Sequence, residues 1–207
     1  MDYIYISLIG YLFGCLQFAY FFSLLIKKVD IRTLGVGNSG ASNIAQTIGI
    51  KAGILVGILD ILKAFISIFI IKSLFSDLIQ ETGYFPLYIN GAFVVLGHNY
   101  PFFMNFKGGK GTASTVGLML GLNLWLGLLT ILIILLVTLI SDYIVFGTMT
   151  MFVIFIIYTL IFHPSIGPLL VVSLLFIQSF YKHRVNFSRI KRGEEKGLRG
   201  TLKKNKD

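Results

Sequence analysis

The chain has 207 residues, of which 56% are hydrophobic, and its mean hydropathy is +0.84. Soluble domains carry about 45–50% apolar residues, so this composition excludes an ordinary soluble domain. The net charge is +9, the single Cys15 excludes a disulfide framework, and no Cys/His cluster has metal-ligand spacing. We therefore expect an all-α polytopic membrane protein in one compact unit, with no metal and no cofactor.

Apolar stretches of about 17–25 residues, long enough to span a bilayer, recur along the chain. The sequence predicts spans at 4–26, 52–71, 85–103, 144–162 and 166–180, and a further apolar stretch at 112–140. The first lacks a basic n-region and a small-residue cleavage site, so we interpret it as a retained helix and not as a signal peptide. The stretch at 112–140 is interrupted by Gly117, Gly121 and Asn123. It is either one long helix or two shorter helices that meet near Asn123.

The charges of the loops predict the orientation of these spans. Cytoplasmic loops are enriched in Lys and Arg. This criterion places residues 27–51 and 107–110 inside and the loop with Asp77 and Glu81 outside, with the N-terminus outside. Dividing the stretch at 112–140 gives seven spans and keeps the basic tail inside, whereas six spans would put it outside. We predict seven spans, with a transmembrane domain at 1–185 and a basic cytoplasmic tail at 186–207.

About half of the Lys and Arg residues follow Phe180. A basic tail can bind nucleic acid, but beside a membrane span it is more simply interpreted as an anchor on anionic lipid head groups. We therefore expect membrane lipid as a partner and no nucleic acid.

The first cytoplasmic loop is rich in glycine and in neutral hydrogen-bond donors. Three glycines allow backbone N–H groups to converge, and the segment leads into an apolar-periodic stretch whose helix N-terminus would face the same point. The candidate phosphate-binding residues here are Gly35, Gly37, Asn38, Gly40 and Asn43. The loop is not a Walker motif, which needs a Lys-Ser/Thr pair after the last glycine. The alternative is a flexible polar loop.

Further polar groups lie near the ends of later spans. Lysine is costly near hydrocarbon, so the run Lys107-Gly108-Gly109-Lys110-Gly111 indicates a site for a phosphorylated ligand. His183, Arg184 and Asn186 follow the last span, and His98 at the end of the third is either a satisfied interfacial histidine or part of the site. These groups come from separate loops on one predicted face, which favours one anion-binding site over a transmembrane path.

Asp60 and Lys63 lie inside the second span with i, i+3 spacing, on one face of the helix. The two charges of an intramembrane pair of this kind usually neutralise each other and face the interior of the helix bundle. We expect this structural role in preference to direct contact with a ligand.

Together these motifs resemble the acyl-phosphate:glycerol-3-phosphate acyltransferase family (PlsY). The motifs run in order from Gly14 to Glu194, and no single one is specific. They are Gly35-x-Gly37-Asn38-x-Gly40-Ala41-x-Asn43, Leu59-Asp60-x-Leu62-Lys63, Gly97-His98-x-Tyr100-Pro101, Lys107-Gly108-Gly109-Lys110-Gly111 and His183-Arg184-x-Asn186.

The resemblance implies a bacterial inner-membrane enzyme of seven spans whose active site faces the cytoplasm. It would transfer a fatty acyl group from acyl phosphate to the 1-hydroxyl of glycerol 3-phosphate, giving lysophosphatidic acid and phosphate for phospholipid synthesis. A phosphate acyltransferase that supplies acyl phosphate is an expected partner. By resemblance, Lys110, His183 and Asn186 contact the glycerol phosphate or the transferring phosphate. The His-x4-Asp motif of soluble-type acyltransferases is absent, as expected for this family.

The chain departs from the family pattern at several positions. Val36 stands where the family has serine in its first loop, and Tyr143-Ile144-Val145 where Tyr-Val-Ser is usual. Gln46 stands where arginine is usual, so the resemblance makes it a candidate phosphate-binding residue that keeps a hydrogen bond but not the charge. Each lost charge-assisted contact costs roughly 1.5–3 kcal/mol unless it is replaced. The standard reaction with a rearranged acceptor site is the first hypothesis. A paralogue with another acceptor, an inactive lipid-binding protein and a small transporter are the alternatives.

Overall fold

A computed structural model describes residues 1–204, and in this range the chain forms α-helices and short 3₁₀ turns without a strand. The helices are α1 (Asp2–Gly14), α2 (Phe18–Lys27), α3 (Ala41–Thr47), α4 (Ile50–Leu74), α5 (Ser76–Thr82), α6 (Phe85–Asn99), α7 (Thr112–Leu122), α8 (Leu124–Ser141), α9 (Ile144–Phe162), α10 (Ile166–Lys191) and α11 (Leu198–Lys204). The last three residues of the predicted basic tail lie outside the described residues.

The first predicted span lies within a segment, 2–27, that is long and apolar enough to cross a membrane. It forms two helices, broken between Gly14 and Phe18, and not the one helix that was predicted. The break is stabilised by side chains that satisfy its backbone. Gln17 Nε2 donates to the carbonyls of Gly14 (3.2 Å) and His98 (3.0 Å). Lys63 Nζ donates to the carbonyls of Gly14 (3.2 Å) and Leu16 (2.7 Å). Buried partners of this kind are what make irregular backbone tolerable at membrane depth.

The apolar stretch at 112–140 is divided at Asn123, as the seven-span alternative predicted. Asn123 is the N-cap of α8, and its side-chain oxygen accepts from the Leu126 N–H at 3.0 Å. Helix α8 then turns back along α7, because Gly127 packs against Leu120. The two helices therefore form an antiparallel hairpin and not one long span.

Five segments are long and apolar enough to cross a membrane, at 2–27, 50–74, 124–141, 144–162 and 166–191. Helices α6 and α7, of 15 and 11 residues, are about 22 and 16 Å long and are shorter than a bilayer core. Helix α6 ends at Asn99 instead of the predicted 103. Helix α10 continues to Lys191, well past the predicted 180, because its buried residues Leu175, Ser179, His183 and Asn186 keep one helical face.

Close packing of α1 on α6 fixes the end of α6 near the candidate site. A Cβ atom on Gly97 would meet the backbone of Tyr11 and would lie 3.0 Å from the Cα of Gly14. Small residues at such a crossing allow two helix backbones to approach, which is a common device in membrane bundles. The carbonyl of His98, one residue further, then lies within reach of the broken first span.

The segment after α10 folds back onto the bundle. The chain turns at Gly193, whose φ is +70°. The backbone N–H of Leu198 donates to the carbonyl of Asp142 (2.8 Å), and that of Arg199 donates to the Asp142 carboxylate (2.7 Å). The tail segment 194–199 is therefore docked on the loop between α8 and α9.

Candidate active site

A cavity of about 240 Å³ lies where the first loop, the Lys110 loop and the end of α10 meet. It brings together most of the residues predicted for the site, along with Asp60. Those that line it are Asn38, Gly40, Gln46, His98, Lys110, His183 and Asn186. Residues distant in sequence thus surround one space.

Lys110 lines this cavity together with Asn186 and Glu195. Its ammonium contacts Asn186 Oδ1, and Asn186 Nδ2 donates to Glu195 Oε1 at 2.6 Å. This chain of contacts fixes which end of the Asn186 amide faces the lysine. Glu195 also lines the cavity, although the sequence analysis did not select it. Its signal is the acidic pair Glu194-Glu195 inside an otherwise basic tail.

His183 lies one turn before Asn186 on α10 and is only 3% exposed. Neither of its ring nitrogens has a hydrogen-bond partner of normal geometry among residues 1–204. A buried imidazole that borders a cavity and lacks partners is suited to bind a hydroxyl or phosphate oxygen of a ligand.

The first turn of α7 also faces the cavity, through Gly111, Thr112 and Ala113. Gly111 is the N-cap, with a φ of +86°. The first N–H groups of a helix have no acceptor within the helix, and the helix dipole favours negative charge there. Together with the Lys110 ammonium they provide donors and positive charge for a phosphate.

Burial lowers the pKa of Lys110 to about 8, with smaller downward contributions from Arg189 and Lys182, while Glu195 opposes the shift. Near neutral pH the amine is still largely protonated. A dianion in the cavity would raise this pKa, because an opposite charge favours the protonated form.

The first loop reaches the cavity through Val36, Asn38 and Gly40. Asn43 lies behind it, fully buried, and organises the loop. Its side-chain oxygen accepts from the Val36 N–H (2.9 Å), and its amide nitrogen donates to the carbonyls of Ile31, Leu34 and Asn38 at 2.9–3.1 Å. Gly35 and Gly37 have positive φ values and turn the loop, but they do not border this cavity.

The two glycines before Lys110 allow its loop to pack closely on the end of α6. The N–H groups of Gly108 and Gly109 donate to the carbonyls of Asn99 (3.1 Å) and His98 (3.0 Å). A Cβ atom on Gly109 would meet the His98 ring. These two glycines therefore let the Lys110 loop lie on the end of α6, whereas Lys107 is exposed and outside the cavity.

Asp60, Lys63 and His98 form a buried polar cluster beside the cavity. Lys63 Nζ lies 2.8 Å from Asp60 Oδ1 and 2.9 Å from His98 Nδ1, and all three side chains are at most 4% exposed. The expected pairing of Asp60 with Lys63 is present. Lys63 does not border the cavity, whereas Asp60 and His98 do.

The other end of the cavity is apolar. Ile61 on α4, Val116 on α7 and Ile131 and Leu135 on α8 line it. Leu135 is 56% exposed on the surface of the bundle, so this end approaches the lipid-facing side. Val145, where the resembling family has serine, is 1% exposed and does not border the cavity, whereas its neighbour Ile144 does.

A cavity with Lys110 at a polar end and apolar residues at the other, within a bundle of helices long enough to span a membrane, is the arrangement expected of a membrane protein whose ligand is an amphiphilic anion. Comparison with known proteins narrows this class. The family profile for glycerol-3-phosphate acyltransferase matches residues 4–193. Glycerol-3-phosphate acyltransferase 1 of Oceanobacillus iheyensis is 37% identical over 96% of both chains. A Staphylococcus aureus glycerol-3-phosphate acyltransferase is 38% identical over 91% of this chain and 94% of its own.

Solved structures agree in fold. The crystal structure of PlsY (YgiH), an integral membrane glycerol 3-phosphate acyltransferase, in its glycerol 3-phosphate form has a TM-score of 0.85 and 30% identity, with 98% of each chain covered. Its lysophosphatidic acid form has a TM-score of 0.80 and 28% identity, covering 98% of this chain and 97% of its own. The chain belongs to the glycerol-3-phosphate acyltransferase family, which confirms the resemblance drawn from its motifs.

Proposed function

We propose that this protein transfers a fatty acyl group from acyl phosphate to the 1-hydroxyl of glycerol 3-phosphate in phospholipid synthesis. The observation that carries this proposal is the single cavity in which Lys110, His183 and Asn186 lie next to an apolar groove. A phosphate group fits the polar end and an acyl chain fits the apolar end. Membership of the family supports the same reaction.

The reaction needs positioning and charge neutralisation more than a covalent intermediate, because an acyl phosphate is already activated. The 1-hydroxyl oxygen attacks the acyl carbonyl carbon, the bond from that carbon to the phosphate oxygen breaks, and phosphate leaves. The hydroxyl proton passes to the leaving phosphate. Lys110 and the first N–H groups of α7 stabilise the negative charge, while His183 and Asn186 orient the acceptor.

The protonation of Lys110 predicts how the reaction depends on pH. Since its pKa is about 8, the free enzyme loses the positive charge as pH rises from 7 to 9. Phosphate esters are already dianionic above their second pKa of about 6, so the substrate charge stays constant over this range. Above pH 8 we expect a rise in KM for the substrate whose phosphate contacts Lys110. The slope should approach about tenfold per pH unit, because one proton is lost.

The matched control for this pH profile is Lys110→Arg, since a guanidinium stays charged throughout the range. Its KM should change little between pH 7 and pH 9, whatever its absolute activity. A wild-type profile as flat as that of the variant would contradict the role given to the ammonium.

The bundle is proposed to cross the membrane seven times, with the N-terminus outside and the C-terminus in the bacterial cytoplasm. Five long segments and the two shorter helices α6 and α7 give this number. The tail and the loop at Asp142 contact each other, which requires them to lie on one side. In a Cys15→Ala background, thiol reagents added outside spheroplasts should label Asp77→Cys and not Arg192→Cys.

The direct test uses purified protein in lipid with acyl phosphate and glycerol 3-phosphate. We expect lysophosphatidic acid and phosphate in equal amounts, without added cofactor, acyl-CoA or acyl carrier protein. A phosphate acyltransferase would supply the donor in the cell. Binding of acyl phosphate without turnover would indicate an inactive relative, and solute flux across vesicles without acyl transfer would indicate a transporter.

A further inference from the structure

A second cavity, of about 460 Å³, lies on the outer side of the first loop. Its lining includes Lys27 at the end of α2, Lys196 in the docked tail, and Gly35 and Gln46 from the first loop. None of the described residues that line it carries a carboxylate. Gln46 borders both this cavity and the one that contains Lys110. The basic cavity is therefore adjacent to the candidate active site.

The fold holds Lys196 at this place. The residue before it, Glu195, accepts the 2.6 Å hydrogen bond from Asn186. Two residues after it, the Leu198 N–H donates to the Asp142 carbonyl, and Gly197 packs against the Asp142 side chain. The backbone of Lys196 is thus anchored on both sides, which keeps this exposed side chain at the border of the cavity.

Two lysines in a cavity whose described lining has no carboxylate attract a dianion, and the attraction is strongest at low salt. Gln46 provides an uncharged amide at the boundary between the two cavities. We propose that Lys27 and Lys196 bind the phosphate monoester of glycerol 3-phosphate in the basic cavity, which lets its hydroxyl end enter the Lys110 cavity past Gln46. This inference rests on the proposed function and assigns the acceptor phosphate to residues outside the motifs.

The experiment measures acyl transfer by the full chain in phosphatidylcholine vesicles at low salt. Lys196→Gln and Lys27→Gln should each raise KM for glycerol 3-phosphate about five- to tenfold, as expected for loss of one charge-assisted contact of an exposed side chain. Their kcat and their KM for acyl phosphate should stay unchanged. Lys196→Arg should retain the wild-type KM. Lys191→Gln is the matched control, since it removes one exposed lysine that borders neither cavity.

A double-mutant cycle tests whether residues 46 and 196 act on the same phosphate group. Gln46→Arg places a cation at the boundary of the two cavities, so it should restore the low KM of Lys196→Gln more than it improves the wild type. Additive effects of the two substitutions would argue against a shared phosphate site.

Other outcomes overturn the inference. An unchanged KM for Lys196→Gln, in a wild-type enzyme that makes lysophosphatidic acid, rejects the site and leaves the reaction intact. An effect that appears only in phosphatidylglycerol vesicles assigns the cavity to lipid head groups instead. A fall in kcat together with a lower unfolding temperature indicates that Lys196 acts only by docking the tail. Absence of product from the wild type refutes the proposed reaction itself.

Discussion

Replacing Lys110 by alanine is expected to lower kcat/KM by about a hundred- to a thousandfold, the usual effect of removing one preorganised donor from a transition state. The ammonium contacts Asn186 and lies beside the first turn of α7, where charge on the leaving phosphate would accumulate. Steady-state kinetics with both substrates measures the loss. Since the side chain is a donor and not part of the hydrophobic core, the unfolding temperature should change little.

Lys107→Ala is the matched control for this experiment. Lys107 lies three residues away in the same loop, but its side chain is exposed and outside the cavity. We expect it to keep nearly full activity. If Lys110→Ala and Lys107→Ala lose activity equally, the loop acts through its overall charge and Lys110 has no special place in the site.

The helical bundle could largely be predicted from hydropathy, whereas the ends of its elements could not. The division at Asn123 followed from the charge of the flanking loops. The break at Cys15–Gln17 did not, because its cause lies far away in sequence: the lysine that satisfies the carbonyls of Gly14 and Leu16 belongs to α4. The extension of α10 was readable from the spacing of Ser179, His183 and Asn186, once polar residues are allowed on a buried face.

Most of the candidate site could be predicted because a phosphate site needs glycine, lysine and amide residues that are costly elsewhere in a membrane protein. The sequence pattern could not distinguish residues that line the cavity from residues that hold the surrounding loops in place. Gly109 lies in the same motif as Lys110, and Asn43 lies in the glycine-rich first loop, yet Asn43 holds that loop and Gly109 makes room for His98. Glu195 and Lys196 were missed because their positions depend on how the tail folds back.

Replacing Lys63 by methionine is expected to lower the free energy of unfolding by about 3–5 kcal/mol, because it removes the lysine paired with the buried Asp60 carboxylate and leaves that carboxylate with His98 at 3.5 Å. It also removes the donor to the carbonyl of Leu16 and one of two donors to that of Gly14. Thermal unfolding in one detergent measures the effect. Lys72→Met is the control, since Lys72 lies in the last turn of the same helix and is in contact with the Tyr84 ring instead of a carboxylate.

The double variant Asp60→Leu/Lys63→Met separates the two roles of the lysine. Removing both charges abolishes the unpaired carboxylate, so the double variant should be more stable than Lys63→Met alone. It should still be less stable than the wild type, because the Leu16 carbonyl keeps no lysine donor and an unsatisfied buried acceptor costs about 1–3 kcal/mol. Full recovery would mean that Lys63 only neutralises Asp60. No recovery would mean that its main role is to hold the broken first span against α4 and, through His98, to position the loop that carries Lys110.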